Sequence, residues 1–263
     1  MINRLDELDP AALAARLEAK ASLVLGLGTI EWHGLHLPLG LDLLKAHALA
    51  ERTAERAGAV LAPPAWWAAG GVPQPCTLRL SPSVTDPVLS AVLDAFAGMG
   101  FRAICLLNGH YGLENSPPCA CAAVACASAT GDHAGVFETA LLMPDRPDLV
   151  HLDVEGDLQG VIGEDPRGAA TRELGEHGLE LASARAADTL DRALVEPRKP
   201  IADALKAAVR ALEALWELRH ERPPDQVPPV ATPSWIRHLE SIRDGNWRGA
   251  QEAAEEKLAD AAA

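Results

Sequence analysis

The sequence predicts an α/β fold: a three-layer αβα arrangement around a mostly parallel sheet, with a helical C-terminal extension. Three observations predict it. Two short apolar runs, Leu23-Val-Leu-Gly-Leu-Gly28 and Arg102-Ala-Ile-Cys-Leu-Leu107, read as buried strands of a parallel sheet. Helix start signals alternate with them over short connections, as in a helix-covered sheet. Histidines and carboxylates gather directly behind both runs, and open parallel sheets form their sites at the carboxyl ends of strands.

Asp9-Pro10 opens a first helix in which Leu13, Leu17 and Ala21 are spaced to cover one side of the sheet. After the 23–28 strand and its polar loop, Asp42 stands where a second helix begins, and that pattern runs to about Gly58. Ala59-Val-Leu-Ala is a short strand. A loop with Trp66-Trp67 follows, and these rings either line a site or pack. Thr85-Asp86-Pro87 offers a cap and then proline, so the spacing predicts a helix from there to Gly98-Met-Gly100. The 102–107 strand feeds Asn108-Gly109-His110. Beyond about residue 165 only helices are read. Ile201 to His220 is amphipathic, and Arg222-Pro-Pro-Asp-Gln-Val-Pro-Pro229 is an extended linker. The tail beyond it carries Trp235 and Trp247, expected to be exposed and to meet either a neighbouring subunit or the chain's own domain. These signals divide the chain into a first domain over 1–195 and an extension over 196–263.

Composition narrows the function. The net charge is −14 and no Lys/Arg cluster is long enough to follow a phosphate backbone, which argues against nucleic acid. No apolar stretch reaches the length of a membrane span, and the first residues lack the basic and apolar regions of a signal peptide, so a cytoplasmic protein is expected. Cys76, Cys105, Cys119, Cys121 and Cys126 are odd in number and form no C-x-x-C pair, as expected of free thiols in a reducing compartment.

Three constellations carry chemistry. Glu31-Trp-His33-Gly-Leu-His36-Leu-Pro-Leu-Gly-Leu-Asp42 places four potential metal ligands within twelve residues. Such a mixed nitrogen and oxygen set suits Zn, Mn or Fe(II). Asn108-Gly-His110-Tyr111-Gly-Leu-Glu114-Asn-Ser116 follows the second strand, and Asp132-His133-Ala-Gly-Val-Phe-Glu138-Thr139 is the third. Glu31 and His33 are alternate residues of an extended segment, so both side chains can reach one site. His47 lies among alanines on a helix and reads as ordinary packing.

These motifs together resemble those of the creatininase (creatinine amidohydrolase) family. The first resembles its Glu-x-His-Gly-x-His-x-Pro…Asp signature, the second its Asn-Gly-His motif, and His133-Ala-Gly-Val-Phe-Glu-Thr with Pro147-Asp-Leu-Val its His-Gly/Ala-Gly-x-x-Glu-Thr block. Pro75-Cys-Thr-Leu-Arg-Leu80 resembles its Pro-Gly-Thr-x-Ser-Leu segment, with Cys76 in place of glycine, and Gly160-Val-Ile-Gly163 through Gly175 its last common segment. The likeness covers roughly residues 5 to 190.

The resemblance implies a creatininase-like fold and two divalent ions, Zn, Mn or Fe. Glu31 and His110 would ligate one ion and His33 the other, Asp42 would bridge them, and Glu114 would complete the second site. His133 would be the general acid/base, with Glu138 orienting it or touching a metal. Tyr111, Thr77 and His36 are the candidate substrate contacts, His36 more as a loop contact than a ligand. The implied activity is hydrolysis of a small cyclic amide, formamide or similar C–N bond through a metal-bound hydroxide. The implied assembly is a homo-oligomer, a hexamer as in the family, with a small-molecule amide as partner.

The chain departs from the family pattern where His110 and His133 stand only 23 positions apart. That interval holds room for one Ala/Cys-rich helix, about Pro117 to Ala129. Ala129-Thr-Gly-Asp132 stands where true creatininases carry the tryptophan that covers creatinine, and Gly112-Leu113 is an insertion ahead of Glu114. A more open site is the expected consequence. The alternative function is a degenerate family member acting as a binding or assembly subunit.

Overall fold

The computed structural model describes residues 2–19, 21–110, 132–195 and 232–262, with scattered positions between 200 and 214. Tyr111, Glu114, the 117–129 segment, Cys119, Cys121, Cys126 and the proline-rich linker lie outside the described residues.

Four parallel strands form the sheet: β1 (Asn3–Arg4), β2 (Leu23–Leu27), β3 (Val60–Leu61) and β4 (Ile104–Asn108), in the order β1-β3-β2-β4. The register of the central pair runs from Leu23 opposite Ile104 to Leu27 opposite Asn108. Every residue of β2 is buried, which is why its sequence shows an unbroken apolar run rather than alternation. The two-residue β1 at the sheet edge carried no strand signal in the sequence.

Helices cover both faces. Leu23, Leu25, Leu27, Ile104 and Leu106 pack on one side with Leu13 and Leu17 of α1 (Pro10–Glu18) and Leu89 and Leu93 of α3 (Pro82–Met99). Val24, Cys105 and Leu107 face the other side. There they meet α2 (Leu41–Ala57), α4 (Val136–Leu142) and α5 (Arg172–Val195) through Leu49, Leu141, Leu179 and Leu190. The layers are therefore helix, sheet, helix, as the sequence predicts.

α1 begins as expected, with the Asp9 side chain accepting from the Ala12 N–H at 2.8 Å. α2 ends at Gly58 in the left-handed conformation, φ +61°. The start of α3 corrects the sequence reading. The helix begins at Ser81-Pro82, where the Ser81 hydroxyl accepts from Ser83 N–H at 3.3 Å, and Pro87 lies inside it. Both sites carry a hydroxyl residue and proline at the first turn, so the two signals compete. The earlier one wins, and Pro87, which has no N–H to donate, interrupts the hydrogen-bond ladder of the helix.

The extension folds into α6 (Pro233–Arg243) and α7 (Trp247–Ala262), packed on each other. Its tryptophans correct a second expectation. Trp235 and Trp247 are buried, Trp235 stacked on His238 at 4.8 Å and Trp247 packed with Ala204 and Ala250. Ile236 and Leu239 are the large apolar residues of α6 that stay exposed. No helix among the described residues is long and apolar enough to cross a membrane.

Candidate metal centre

After β2 the chain runs to β3 on one side, and β4 then returns to the other side of β2. The crevice at the carboxyl ends of β2 and β4 is thus a topological switch point, the place where open α/β sheets bind ligands. The loop after β2 brings Glu31 and His33, α2 opens with Asp42, and the turn after β4 brings His110.

The loop is shaped by its own backbone. Glu31 N–H donates to Leu39 O at 2.8 Å, and Trp32 N–H donates to the Thr77 hydroxyl at 3.1 Å. Thr77 therefore acts here as a clip on the ligand loop. Two glycines allow α2 to settle onto the strand ends. A Cβ on Gly28 would lie 2.3 Å from Leu43 N, and one on Gly109 only 2.2 Å from Asp42 O. The glycine of Asn108-Gly-His110 is thus required by close approach rather than by a turn.

His110 Nδ1 lies 2.9 Å from both Glu31 Oε2 and Asp42 Oδ2. His33 Nε2 lies 3.3 Å from Asp42 Oδ1, 3.9 Å from Glu138 Oε2 and 4.0 Å from Glu31 Oε2. All five residues are buried. Two ligand groups result: Glu31, Asp42 and His110, and His33, Asp42 and Glu138, with Asp42 common to both. A third set, Glu31, His33 and His133, shares the space between them.

The donor set fits a divalent cation. His33 Nδ1 lies 3.1 Å from the Glu31 carbonyl, which can only accept, so Nδ1 carries the proton and the Nε2 lone pair faces carboxylates. A lone pair turned toward ionised oxygens is unfavourable without a cation between them. Among the described residues, Glu31 Oε2, His33 Nε2, Asp42 Oδ1 and His110 Nε2 are buried without a well-directed hydrogen bond. Burial would raise Asp42, but Lys45 and, after it, His110 hold it well below the usual carboxylate range. Glu31 is likewise lowered, burial being outweighed by His110. Burial would lower His110, yet the same two carboxylates push it up to about 10. The centre is an anionic cradle that takes up positive charge.

His133 stacks on His33 with ring centroids 4.6 Å apart, and its Nε2 lies 3.0 Å from the Trp32 carbonyl. That carbonyl fixes the proton on Nε2 and leaves Nδ1 as the available lone pair. Burial lowers the His133 pKa, which favours the neutral ring. Reciprocal backbone bonds between His133 and Ile162, at 2.7 and 2.8 Å, fix the residue against the Gly160–Gly163 segment.

Glu138 does not hydrogen-bond His133. It accepts from Ala134 N–H at 2.6 Å and from Lys45, and its Oε2 lies 3.9 Å from His33 Nε2. His36 is expected as a loop contact or a substrate contact. It is fully buried, and its Nε2 donates to Ala134 O at 3.0 Å, fastening the first motif to the third. Trp67 packs on the core, while Trp66 stays half exposed. Cys76 is exposed with φ +63°, a left-handed residue at the position where the family pattern has glycine. Lys45 is the residue the sequence reading missed. Its only signal was its place three residues after Asp42, on the same face of α2.

The creatininase family model, described as creatinine amidohydrolase, matches residues 6–190. The chain belongs to the creatininase family. A curated relative, the creatinine amidohydrolase of Pseudomonas putida, is 27% identical over an alignment covering 50% of this chain and 66% of the relative. The chain thus spans just under two thirds of that relative's length. Two solved creatininases, one a Glu-to-Gln mutant described as Zn-Zn type and one described as the Mn form, each share 24% identity. Each covers 74% of this chain and 100% of its own, with TM-score 0.60, which establishes the creatininase fold.

Proposed function

We propose that this chain is a metal-dependent amidohydrolase that cleaves the C–N bond of a small amide, a cyclic amide or formamide being the class that fits. The observation that carries this reading is the buried convergence of Glu31, Asp42 and His110, with His33 Nε2 turned toward the same carboxylates. Relatives described as Zn-Zn and Mn forms support Zn or Mn as the ion.

Glu31, Asp42 and His110 would hold the ion, with His33 and Glu138 beside it. A divalent ion bound there supplies a Lewis acid for the carbonyl oxygen and lowers the pKa of a water toward neutrality. The protein's own groups do the rest. Burial keeps competing solvent away from the ionised carboxylates. Thr77 and the Glu31–Leu39 backbone bond fix the ligand loop, so little reorganisation is left for the reaction. His133 moves the proton. Its Nε2–H is committed to the Trp32 carbonyl, so Nδ1 accepts a proton from the attacking water and gives it to the departing amide nitrogen as the C–N bond breaks.

The test is metal content per chain on protein purified without chelators, for wild type and His110→Ala, followed by a screen of cyclic amides and formamides. Bound metal in the wild type that falls in the variant, with amide turnover in the wild type alone, is the expected result. A wild type that takes up neither Zn nor Mn would leave a non-catalytic family member as the reading.

A further inference from the structure

Within the anionic cradle one cation is already supplied by the chain. Lys45 is 5% exposed. Its Nζ lies 3.1 Å from Asp42 Oδ1 and hydrogen-bonds Glu138 Oε1. Those are the two carboxylates of the group that would hold a second ion with His33.

We propose that Lys45 supplies the second positive charge of this centre, so that the chain binds one divalent ion, at Glu31, Asp42 and His110, rather than two. The proposal rests on the metal-centre reading above and deepens it. Lys45 and Asp42 share one face of α2 at the i, i+3 spacing, so the amine is delivered to the bridging carboxylate by the helix itself. A second ion bound to Asp42 Oδ1 and Glu138 would share those acceptors with Nζ, which offers only donors and repels another cation. Retreat is costly. The cavity beside Lys45 is lined mostly by hydrocarbon, with Leu49, Leu107, Phe137, Leu141 and Leu179. Asn108 is its one polar side chain apart from Lys45, so an ammonium moved there would lose its carboxylate partners. His110 Nδ1 meets Asp42 at its other oxygen, Oδ2, and lies 2.9 Å from Glu31 Oε2 as well, so this group stands with Lys45 in place. Glu138 then positions Lys45, and His33 completes the wall of the site.

The experiment is equilibrium dialysis of wild type, Lys45→Met and Lys45→Arg against Zn(II) and separately Mn(II). Metal per chain is quantified, and electron paramagnetic resonance is recorded on the Mn(II) samples. The expected result is one ion per chain in wild type and Lys45→Arg, with the spectrum of an isolated Mn(II). Lys45→Met should take two ions and give the spectrum of a coupled pair. Two ions in wild type overturn the proposal while leaving the metal centre standing, and this is decided whether or not the variants fold. One ion in a folded Lys45→Met overturns the blocking role. No ion in any protein overturns the metal centre itself, and the proposal with it.

Discussion

Asp42 Oδ2 and His110 Nδ1 lie 2.9 Å apart although 68 positions separate them. The contact exists because β2 and β4 are parallel neighbours that end at the same level. The helix after one strand and the turn after the other then meet over the crevice. Asp42 also faces His33 through its other oxygen, at 3.3 Å. Asp42→Ala is therefore expected to remove metal binding altogether, not to weaken one ligand among several. Metal analysis after dialysis measures this, and wild-type content in the variant would remove Asp42 from the ligand set.

The His133 side chain hydrogen-bonds one backbone carbonyl, Trp32 O, and stacks on His33, and the proposed function gives it the proton transfer. His133→Ala should keep its metal and lose about 10²–10⁴-fold in turnover, the range of a general acid/base. Metal content and amide hydrolysis measured on one preparation separate the two effects. Unchanged turnover would remove the residue from the mechanism.

Gly109 has no room for a side chain, a Cβ there lying 2.2 Å from the Asp42 carbonyl. Gly109→Ala should cost about 1–3 kcal/mol as α2 is pushed off the strand ends, lowering Tm by about 2–4 °C per kcal/mol, and should weaken metal binding too. Gly98, near the end of α3 with nothing within 4 Å of its Cβ position, is the control. Gly98→Ala should stabilise by up to about 1 kcal/mol. Equal Tm shifts in the two variants would show that the close approach at Gly109 is not limiting.

His238 in α6 is buried, stacks on Trp235, and its Nδ1 donates to Ala250 O at 2.8 Å, joining α6 to α7. Burial lowers its pKa below the ordinary 6.5, although the Ala250 bond works in the opposite direction. In the unfolded chain the ring takes its proton near 6.5, so below that pH the unfolded state binds more protons. The stability contribution is complete above about 6.5 and shrinks as pH falls from there toward the folded-state value. Urea unfolding followed through tryptophan fluorescence should show that decline, and His238→Gln should flatten it. An identical decline in the variant would assign it to other groups.

The strands β2 and β4, the first helix and the ligand loops were legible in the sequence because each is set by local rules. A short apolar run bounded by turn signals fits a buried parallel strand, and Asp9-Pro10 offers a cap followed by proline at the first helical position. Where local signals competed, as at Ser81-Pro82 and Thr85-Asp86-Pro87, the sequence could not rank them.

By itself the sequence determined which residue types could hold a metal and that they follow parallel strands. Glu31, His33, Asp42 and His110 carry that signal because a strand end and a glycine-rich turn fix where short side chains can reach. The tertiary structure alone decided the rest. Lys45 looks like any solvated helix lysine until α4 brings Glu138 against it. Glu138 stands five residues after His133 in sequence, yet the register of α4 turns it toward Lys45 and His33. Trp235 and Trp247 look exposed until α6 and α7 close on them. In each case the deciding partner lies far away in sequence, and burial, not residue type, sets the side chain's role.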